Sequence, residues 1–339
     1  MLTTLDHIPA GFLEASAGGV HQVLPGPTLI HLPGRKPDPL FVSVLLHGNE
    51  YTGLKAIQNV LGRYTTSELP RALSIFVGNV KAAAVGLRRL DGQLDYNRVW
   101  PGAEATAEIA ESAEYRMTGQ VVDEMRKRGV FASIDVHNNT GLNPHYGCVN
   151  DLHSEFLHLA TLFSHTVVYF LRPRGVQSAA FAKICPAVTL ECGKPDDAAA
   201  EDHATQFIEA VLHLDHFPER PLATGDFNLF HTVATVKVSE ERSFSFGEFD
   251  ADLELDPQID HMNFRELEPG TRFGKVTAGS PMPLVALAED GGDVTSDFFA
   301  IRDGELLLSR GAMPSMLTLD ERIIRQDCLC YLMERYALP

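Results

Sequence analysis

The first part of the chain alternates short apolar runs with longer segments in which apolar residues recur every three to four positions. The short runs are typical of buried strands, and the longer segments are typical of amphipathic helices. Predicted strands lie at 41–46, 72–80, 131–136, 166–171 and 187–192, and predicted helices lie at 53–64, 104–129, 150–165 and 196–214. Strands that alternate with helices predict an α/β domain in which helices cover both faces of the sheet.

The pattern changes after about residue 220. Proline and glycine there separate short segments at 231–238, 249–255, 271–276, 283–290 and 298–309, in which apolar and polar residues alternate. Alternation with a period of two is typical of strands with one buried face. We therefore predict two domains, an α/β domain over residues 1–222 and a smaller, mostly β domain over residues 223–339.

Composition and charge exclude several classes of protein. Hydrophobic residues make up 45% of the 339 residues, as in ordinary folded domains. The formal net charge of −17 repels phosphate backbones, so no nucleic-acid partner is expected. The apolar runs are too short to span a bilayer, and the first residues lack the pattern of a signal peptide. Five scattered cysteines form neither a disulfide framework nor a four-cysteine zinc site, which indicates a cytoplasmic protein.

Two candidate metal ligands follow the strand predicted at 41–46. His47 and Glu50 lie three residues apart in the segment LLHGNEYTG. The carboxyl ends of strands form the ligand crevice of an α/β sheet, and zinc accepts both imidazole and carboxylate ligands. The spacing alone is weak evidence, because the chain has 14 histidines and the same spacing recurs at His216 and Glu219.

A second histidine lies at the end of another predicted strand. His137 follows the run 131–136 in SIDVHNNTG, so it could face the same crevice as His47 and Glu50. Two imidazoles and one carboxylate, with an open position for water, form a hydrolytic zinc site. Taken alone, His137 is better explained as a structural histidine at the end of a strand. Asp135 points the same way along the strand and is a candidate partner for a metal-bound imidazole.

Two further motifs offer catalytic and binding groups. Glu191 ends an apolar strand in TLECGK, where it would serve as a general base unless it lies at an exposed sheet rim. Asn97 and Arg98 in LDYNRVW could hold a substrate carboxylate, although a surface ion pair is the alternative role for Arg98. The sequence has no phosphate-binding loop and no nucleophilic-serine motif.

The motifs HGNE, DYNR, DVHNNT and TLECGK together resemble the succinylglutamate desuccinylase/aspartoacylase family, a branch of the zinc carboxypeptidase-like superfamily. They occur in the family's order over residues 41–194. The resemblance implies a carboxypeptidase-like mixed sheet covered by helices on both faces, with a smaller C-terminal, mostly β domain. It implies that His47, Glu50 and His137 hold one zinc ion per chain, and that Glu191 is the general base.

The residues that would contact substrate match the family less fully. Asn97 and Arg98 correspond to the family pair that binds the substrate carboxylate. The family also has an arginine shortly upstream that polarises the scissile carbonyl. Arg88 and Arg89 are both candidates, neither at the family spacing, and we favour Arg89. DVHNNT resembles the aspartoacylase motif, yet no tyrosine lies between residues 169 and 331 to match one that aspartoacylase uses.

These observations predict a zinc-dependent hydrolase that cleaves the amide bond of an N-acyl amino acid or a similar small carboxylate substrate. One alternative is a carboxypeptidase-like metallopeptidase that acts on peptides. Another is a non-catalytic small-molecule binding protein, which is less favoured because the ligand set and Glu191 are all present. No membrane partner is expected. The sequence leaves open the acyl group, the amino acid, the metal used in the cell and any homo-oligomer.

Overall fold

The computed structural model describes residues 2–104, 106–223, 225–247 and 251–338, and the chain divides into two compact units. The first unit contains the residues up to Asn138 and His145–Asn228. The second contains Asn139–Pro144 and the residues from Leu229 onward. The functional domain boundary predicted between residues 222 and 223 stays a prediction.

Eight strands of the first unit form one mixed sheet. They are β1 (Thr3–Leu5), β2 (Thr28–Leu32), β3 (Gly34–Val44), β4 (Leu69–Val77), β5 (Ala132–His137), β6 (Tyr146–Val149), β7 (Thr166–Tyr169) and β8 (Ala187–Glu191). Their order in the sheet is β1-β2-β4-β3-β5-β8-β6-β7. Neighbouring strands are parallel except for β2 with β4 and β6 with β8. The carboxyl ends of β3, β5 and β8 therefore lie at the same edge.

Helices cover both faces of this sheet. They are α1 (Thr52–Arg63), α2 (Val80–Ala83), α3 (Ala107–Glu111), α4 (Ala113–Arg128), α5 (Ser154–Phe163), α6 (Gln177–Phe181) and α7 (Ala198–His213), with a 3-10 turn at Val20–Gln22. Successive strand residues point to opposite faces. Gly53 of α1 packs on Val44 and Val136, whereas Phe181 of α6 stacks on Phe41 at the other face, with ring centroids 4.3 Å apart. The predicted α/β fold with two covered faces is confirmed.

The helix predicted over 104–129 is in fact two helices. Ser112 separates α3 from α4, with an extended backbone at φ −69° and ψ 152°. Its Oγ accepts a hydrogen bond from the Tyr115 N–H at 3.0 Å, so a new helix begins there. The end predicted at Gly129 is confirmed, since this residue takes the left-handed φ of 66° that terminates helices. Ala105, within the predicted range, lies outside the described residues.

The second unit is mostly β, as predicted. Its strands are β9 (Asn228–Val238), β10 (Phe244–Ser245), β11 (Leu253–Leu255), β12 (Arg272–Val276), β13 (Leu284–Ala288), β14 (Phe299–Arg302), β15 (Glu305–Leu308), β16 (Met313–Ser315) and β17 (Cys330–Arg335). Two short helices, α8 (Thr295–Phe298) and α9 (Glu321–Gln326), and a 3-10 turn at Ile259–Met262 complete it.

Five of these strands form a separate small sheet in the order β10-β11-β12-β15-β14. Elsewhere β9 pairs with β13 and β17, and β17 pairs with β16. Phe273 and Phe299 meet edge to face in the core beneath, with centroids 5.3 Å apart. Residues 249 and 250, within a predicted strand, lie outside the described part of the chain. Among the described residues, no helix has both the length and the apolar character needed to cross a membrane.

Candidate metal centre

A sharp turn at the end of β3 presents the first two candidate ligands. Leu45 adopts a left-handed backbone with φ of 54°, which non-glycine residues rarely take. Gly48 lies directly against helix α2, because a Cβ built on it would stand 2.2 Å from the Ala83 nitrogen. The turn leaves the side chains of His47 and Glu50 buried, 3% and 6% exposed.

His137, at the end of β5, meets this pair. Its Nδ1 lies 2.7 Å from Glu50 Oε2, and His47 Nδ1 lies 2.8 Å from Glu50 Oε1. One ligand atom from each of the three residues falls within 4.8 Å of the others. The structure therefore brings together the two imidazoles and the carboxylate that the sequence singled out.

The outer nitrogen of each imidazole faces a second carboxylate. His47 Nε2 lies 3.0 Å from Asp95 Oδ1, and His137 Nε2 lies 2.7 Å from Asp135 Oδ2. When each Nε2 donates its proton outward, each Nδ1 turns a lone pair towards Glu50. Lone pairs and carboxylate oxygens at such distances repel one another unless a proton or a metal cation lies between them, and carboxylate–histidine pairs are typical partners of metal sites. The donor set therefore fits a zinc-like cation.

The local electrostatics favour positive charge at the same point. Burial disfavours the Glu50 carboxylate, but the charges of His47 and His137 outweigh it and hold the pKa of Glu50 below its usual range. Burial also disfavours a charged His137, but Asp135 and Glu50 outweigh it and raise the pKa of His137 well above its usual value.

Arg88 and Asp95 extend the buried network. The Arg88 guanidinium contacts Glu50 Oε1 at 3.4 Å and Asp95 Oδ2 at 3.1 Å. Burial disfavours the Asp95 carboxylate, but Arg88 and His47 hold the pKa of Asp95 well below its usual range. Asp95 therefore stays ionised and can accept the proton of the His47 ring.

The predicted substrate-contacting residues differ in their surroundings. Arg89 Nη1 donates to the Gln93 carbonyl at 2.7 Å, so the contact with Glu50 belongs to Arg88 and not to the favoured Arg89. Asn97 is buried, and its Nδ2 lies 3.1 Å from the nearer ring nitrogen of His137. Arg98 is half-buried, and its Nη1 donates to the Asn97 carbonyl at 2.8 Å.

Glu191 lies beside the cluster on the adjacent strand. It is the register partner of His137 on one side and of Tyr146 on the other. Because register partners point to the same face, its carboxylate shares the face of the His137 side chain. Glu191 is 7% exposed, so it is not a residue of an open sheet rim.

Sequence reasoning assigned no role to one residue that links the motifs. Asn138 donates its main-chain N–H to Glu50 Oε2 at 3.1 Å and its side-chain amide to the Gly193 carbonyl at 3.0 Å. Its Oδ1 accepts the Thr52 N–H at 3.1 Å. Asn138 lies within the motif DVHNNT and Asp95 within the motif DYNR. Their position in these motifs is the feature of the sequence that could have identified them as site residues.

Comparison with known protein families covers the part of the chain that contains this cluster. The family model of the succinylglutamate desuccinylase/aspartoacylase catalytic domain matches residues 39–217 of this chain. A comparison with curated protein sequences gives no match.

Solved structures share the fold over both units. Succinylglutamate desuccinylase from Chromobacterium violaceum is 18% identical with a TM-score of 0.57, covering 90% of this chain and 87% of that one. Murine aminoacylase 3 is 15% identical with a TM-score of 0.56, covering 89% and 96%. The product-bound ectoine utilization protein EutE (DoeB) from Ruegeria pomeroyi is 13% identical with a TM-score of 0.56, covering 91% and 88%. With a catalytic-domain match over more than half of its 339 residues, the protein belongs to the succinylglutamate desuccinylase/aspartoacylase family, as its four motifs predict, and is a deacylase-type hydrolase.

Proposed function

We propose that this protein is a zinc-dependent amidohydrolase that releases the acyl group from an N-acyl amino acid or a similar small carboxylate substrate. One observation carries the proposal. His47, Glu50 and His137 offer ligand atoms within 4.8 Å of one another. The names of two solved relatives, a desuccinylase and an aminoacylase, agree with this class of reaction.

His47, Glu50 and His137 would hold the metal, with Asp95 and Asp135 orienting the two imidazoles. A zinc ion there would supply Lewis acidity towards the scissile carbonyl and lower the pKa of the attacking water to about 7. The low exposure of His47, Glu50 and His137 strengthens the charge interactions among them.

Glu191 is the proposed general base. Its carboxylate takes a proton from water as the new C–O bond forms at the amide carbon. The same carboxyl then returns the proton to the amine nitrogen as the C–N bond breaks. The products are the free acid of the acyl group and the free amino acid, so atoms and charge balance without a further reactant.

Arg98 and Asn97 are the proposed contacts for the substrate carboxylate, since a guanidinium and an amide NH2 both donate to anions. For the scissile carbonyl, the contact with Glu50 favours Arg88 over Arg89. A buried arginine that already touches a metal ligand stands where charge develops in an amide-hydrolysis transition state.

Metal analysis together with an amine-release assay over a panel of N-acyl amino acids tests the proposal. The purified protein should hold about one zinc per chain, and the double variant His47→Ala, His137→Ala should lose both metal and turnover. A matched double variant, His7→Ala with His153→Ala, removes two imidazoles whose side chains are 66% and 82% exposed and should keep both. Full zinc occupancy in the first double variant would contradict the ligand assignment. Faster release from peptides than from N-acyl amino acids would favour the peptidase alternative.

Glu191→Gln separates catalysis from binding. The amide keeps the shape of the side chain but cannot accept the proton, so turnover should fall at least ~100-fold while zinc content is retained. The matched change Glu219→Gln, on an exposed residue, should leave turnover unchanged. Near-normal turnover in Glu191→Gln would show that another group acts as the base.

A further inference from the structure

The side-chain amide of Asn97 is held by the main chain of helix α6. Asn97 Oδ1 lies 2.9 Å from the backbone nitrogen of Gln177, the first residue of that helix. A backbone N–H can only donate, so the atom that faces it is the amide oxygen. The NH2 group must then point the other way, towards His137, whose Nε2 it approaches at 3.1 Å.

The contact with His137 uses at most one hydrogen of that NH2 group. An amide NH2 carries two hydrogens, and the approach to Nε2 at 3.1 Å engages one of them. Asp135 Oδ2 lies closer to the same ring nitrogen, at 2.7 Å. The second amide hydrogen is left to donate to a ligand beside the metal centre.

The segments that carry Asn97 and Gln177 pack together as a unit. Gly175 has a left-handed φ of 74°, and a Cβ built on it would stand 2.4 Å from the Arg98 carbonyl oxygen. The Trp100 N–H donates to the Gly175 carbonyl at 2.9 Å. Both Asn97 and Gln177 are buried, at 7% and 0% exposed, so neither side chain is free to reorient in solvent.

We propose that Gln177 is a positioning residue, whose main-chain N–H holds the Asn97 amide with its NH2 group directed at the substrate carboxylate. The inference rests on the proposed function, because it assigns Asn97 a substrate to bind. It adds a residue outside all four motifs to the recognition of that substrate.

The test compares Gln177→Pro with Gln177→Ala. Both lose the Gln177 side chain and its hydrogen bond to Ser133 Oγ, but only proline also removes the N–H. Proline suits the first position of a helix, and Val176 before it is already extended at φ −85° and ψ 153°, as a residue preceding proline must be. The two variants therefore differ chiefly in the bond to Asn97.

We expect KM for an N-acyl amino acid to be roughly tenfold higher in Gln177→Pro than in Gln177→Ala, the effect of one charge-assisted hydrogen bond. The KM for the matching neutral amide, kcat and the zinc content should differ little between the two. In an Asn97→Ala background, proline and alanine at position 177 should give equal KM values. Equal KM values with Asn97 in place, or a difference that persists in Asn97→Ala, would overturn the proposal.

Asn97→Asp supplies a second measurement should Gln177→Pro fail to fold. In this variant, one oxygen of the new carboxylate can accept the hydrogen bond from the Gln177 N–H, as the amide oxygen does. The second carboxylate oxygen then points towards the substrate. Asn97→Asp should therefore raise KM for the N-acyl amino acid more than Asn97→Ala does, because the second carboxylate oxygen repels the substrate carboxylate. An equal effect of the two variants would show that the side chain is not held, and would overturn the proposal.

The failure of the proposed function has a different signature. If the wild type hydrolyses neither substrate, the function is wrong, and the positioning is decided by crystal structures of the two Gln177 variants. An Asn97 amide that keeps its place in Gln177→Pro would overturn the inference, and one displaced only in that variant would support it.

Discussion

His47 and His137 each use both ring nitrogens, one towards Glu50 and one towards a carboxylate behind. Asp135 in turn accepts a hydrogen bond from Ser43 Oγ at 2.6 Å, although it is fully buried. Each imidazole is therefore fixed in its orientation by one partner from its own segment and one from a distant segment. At the scale of single residues, the site consists of three candidate ligands and of the carboxylates, Asp95 and Asp135, that orient the two imidazoles towards Glu50.

Arg98→Lys tests recognition of the carboxylate at this scale. A guanidinium matches a carboxylate with two parallel hydrogen bonds, and an ammonium cannot reproduce that fork. The change should cost roughly 2–4 kcal/mol in transition-state binding of an N-acyl amino acid, measured through kcat/KM, and little for the matching amide. Equal losses on both substrates would show that Arg98 does not bind the carboxylate.

At the scale of elements, helix α1 approaches the sheet at a single glycine. A Cβ on Gly53 would lie 2.7 Å from Val136 Cβ and 2.9 Å from Val44 Cγ1, at the ends of the strands that carry the ligand loops. Gly62, in the same helix, faces open space, since a Cβ placed on it would meet no described atom within 4 Å. Close packing against the sheet therefore requires glycine at position 53 but not at position 62.

Gly53→Ala should lower the free energy of unfolding by about 1–3 kcal/mol, because the added methyl group overpacks the core. The matched control Gly62→Ala should raise it by about 0.5–1 kcal/mol, since alanine is the better helix former where space is open. Urea unfolding followed by circular dichroism measures both. A stabilised Gly53→Ala variant would show that α1 can move away from the sheet.

The pairing of β2 with β4 predicts a pH dependence. His31 is buried, its Nδ1 lies 2.8 Å from Ser74 Oγ, and burial together with nearby Arg128 lowers the pKa of His31 to about 4. The folded pKa is below the unfolded value of 6.5, so the unfolded chain binds more protons as pH falls. The contribution of His31 to stability is complete above pH 6.5 and declines towards pH 4.

His31→Gln should flatten this decline by at most about 1.4 kcal/mol per pH unit. The measurement is the free energy of unfolding at several pH values, with His153→Gln as a control on a side chain that is 82% exposed. Identical slopes for the wild type and His31→Gln would show that the His31 ring is hydrated in the folded protein.

At the scale of the whole molecule, the net charge of −17 opposes an anionic substrate. The arginines near the metal centre attract it only at short range, whereas the general field acts over the Debye length. That length falls from about 30 Å at 0.01 M salt to about 8 Å at 0.15 M.

The kcat/KM for an N-acyl amino acid should therefore rise a few-fold between these salt concentrations, relative to kcat/KM for the neutral amide, as screening removes the long-range repulsion. The ratio of the two substrates cancels general effects of salt on the enzyme. A ratio that falls with salt would mean that the arginines dominate the field even outside the pocket.

The sequence by itself determined the elements that local pattern encodes. The apolar runs of β3, β4, β5 and β8 and the periodicity of α1 predict their type, because burial on a sheet or along a helix face imposes that spacing on neighbouring residues. The same pattern missed β2, whose His31 finds its partner 43 residues away, and it ran through the break at Ser112. The pairing of strands and the capping of helices depend on individual hydrogen-bonding side chains, and the periodicity of apolar residues does not reveal them.

For the site, the motifs determined which residue types could meet: two imidazoles, an acid to hold them together, and a second acid as base. Only the tertiary structure decided their partners. Which of Arg88 and Arg89 contacts Glu50 depends on how one turn directs adjacent side chains, and in the structure Arg88 makes that contact. The hydrogen bond from Gln177 to Asn97 joins residues 80 positions apart, and only the packing of distant segments brings such a donor and acceptor together.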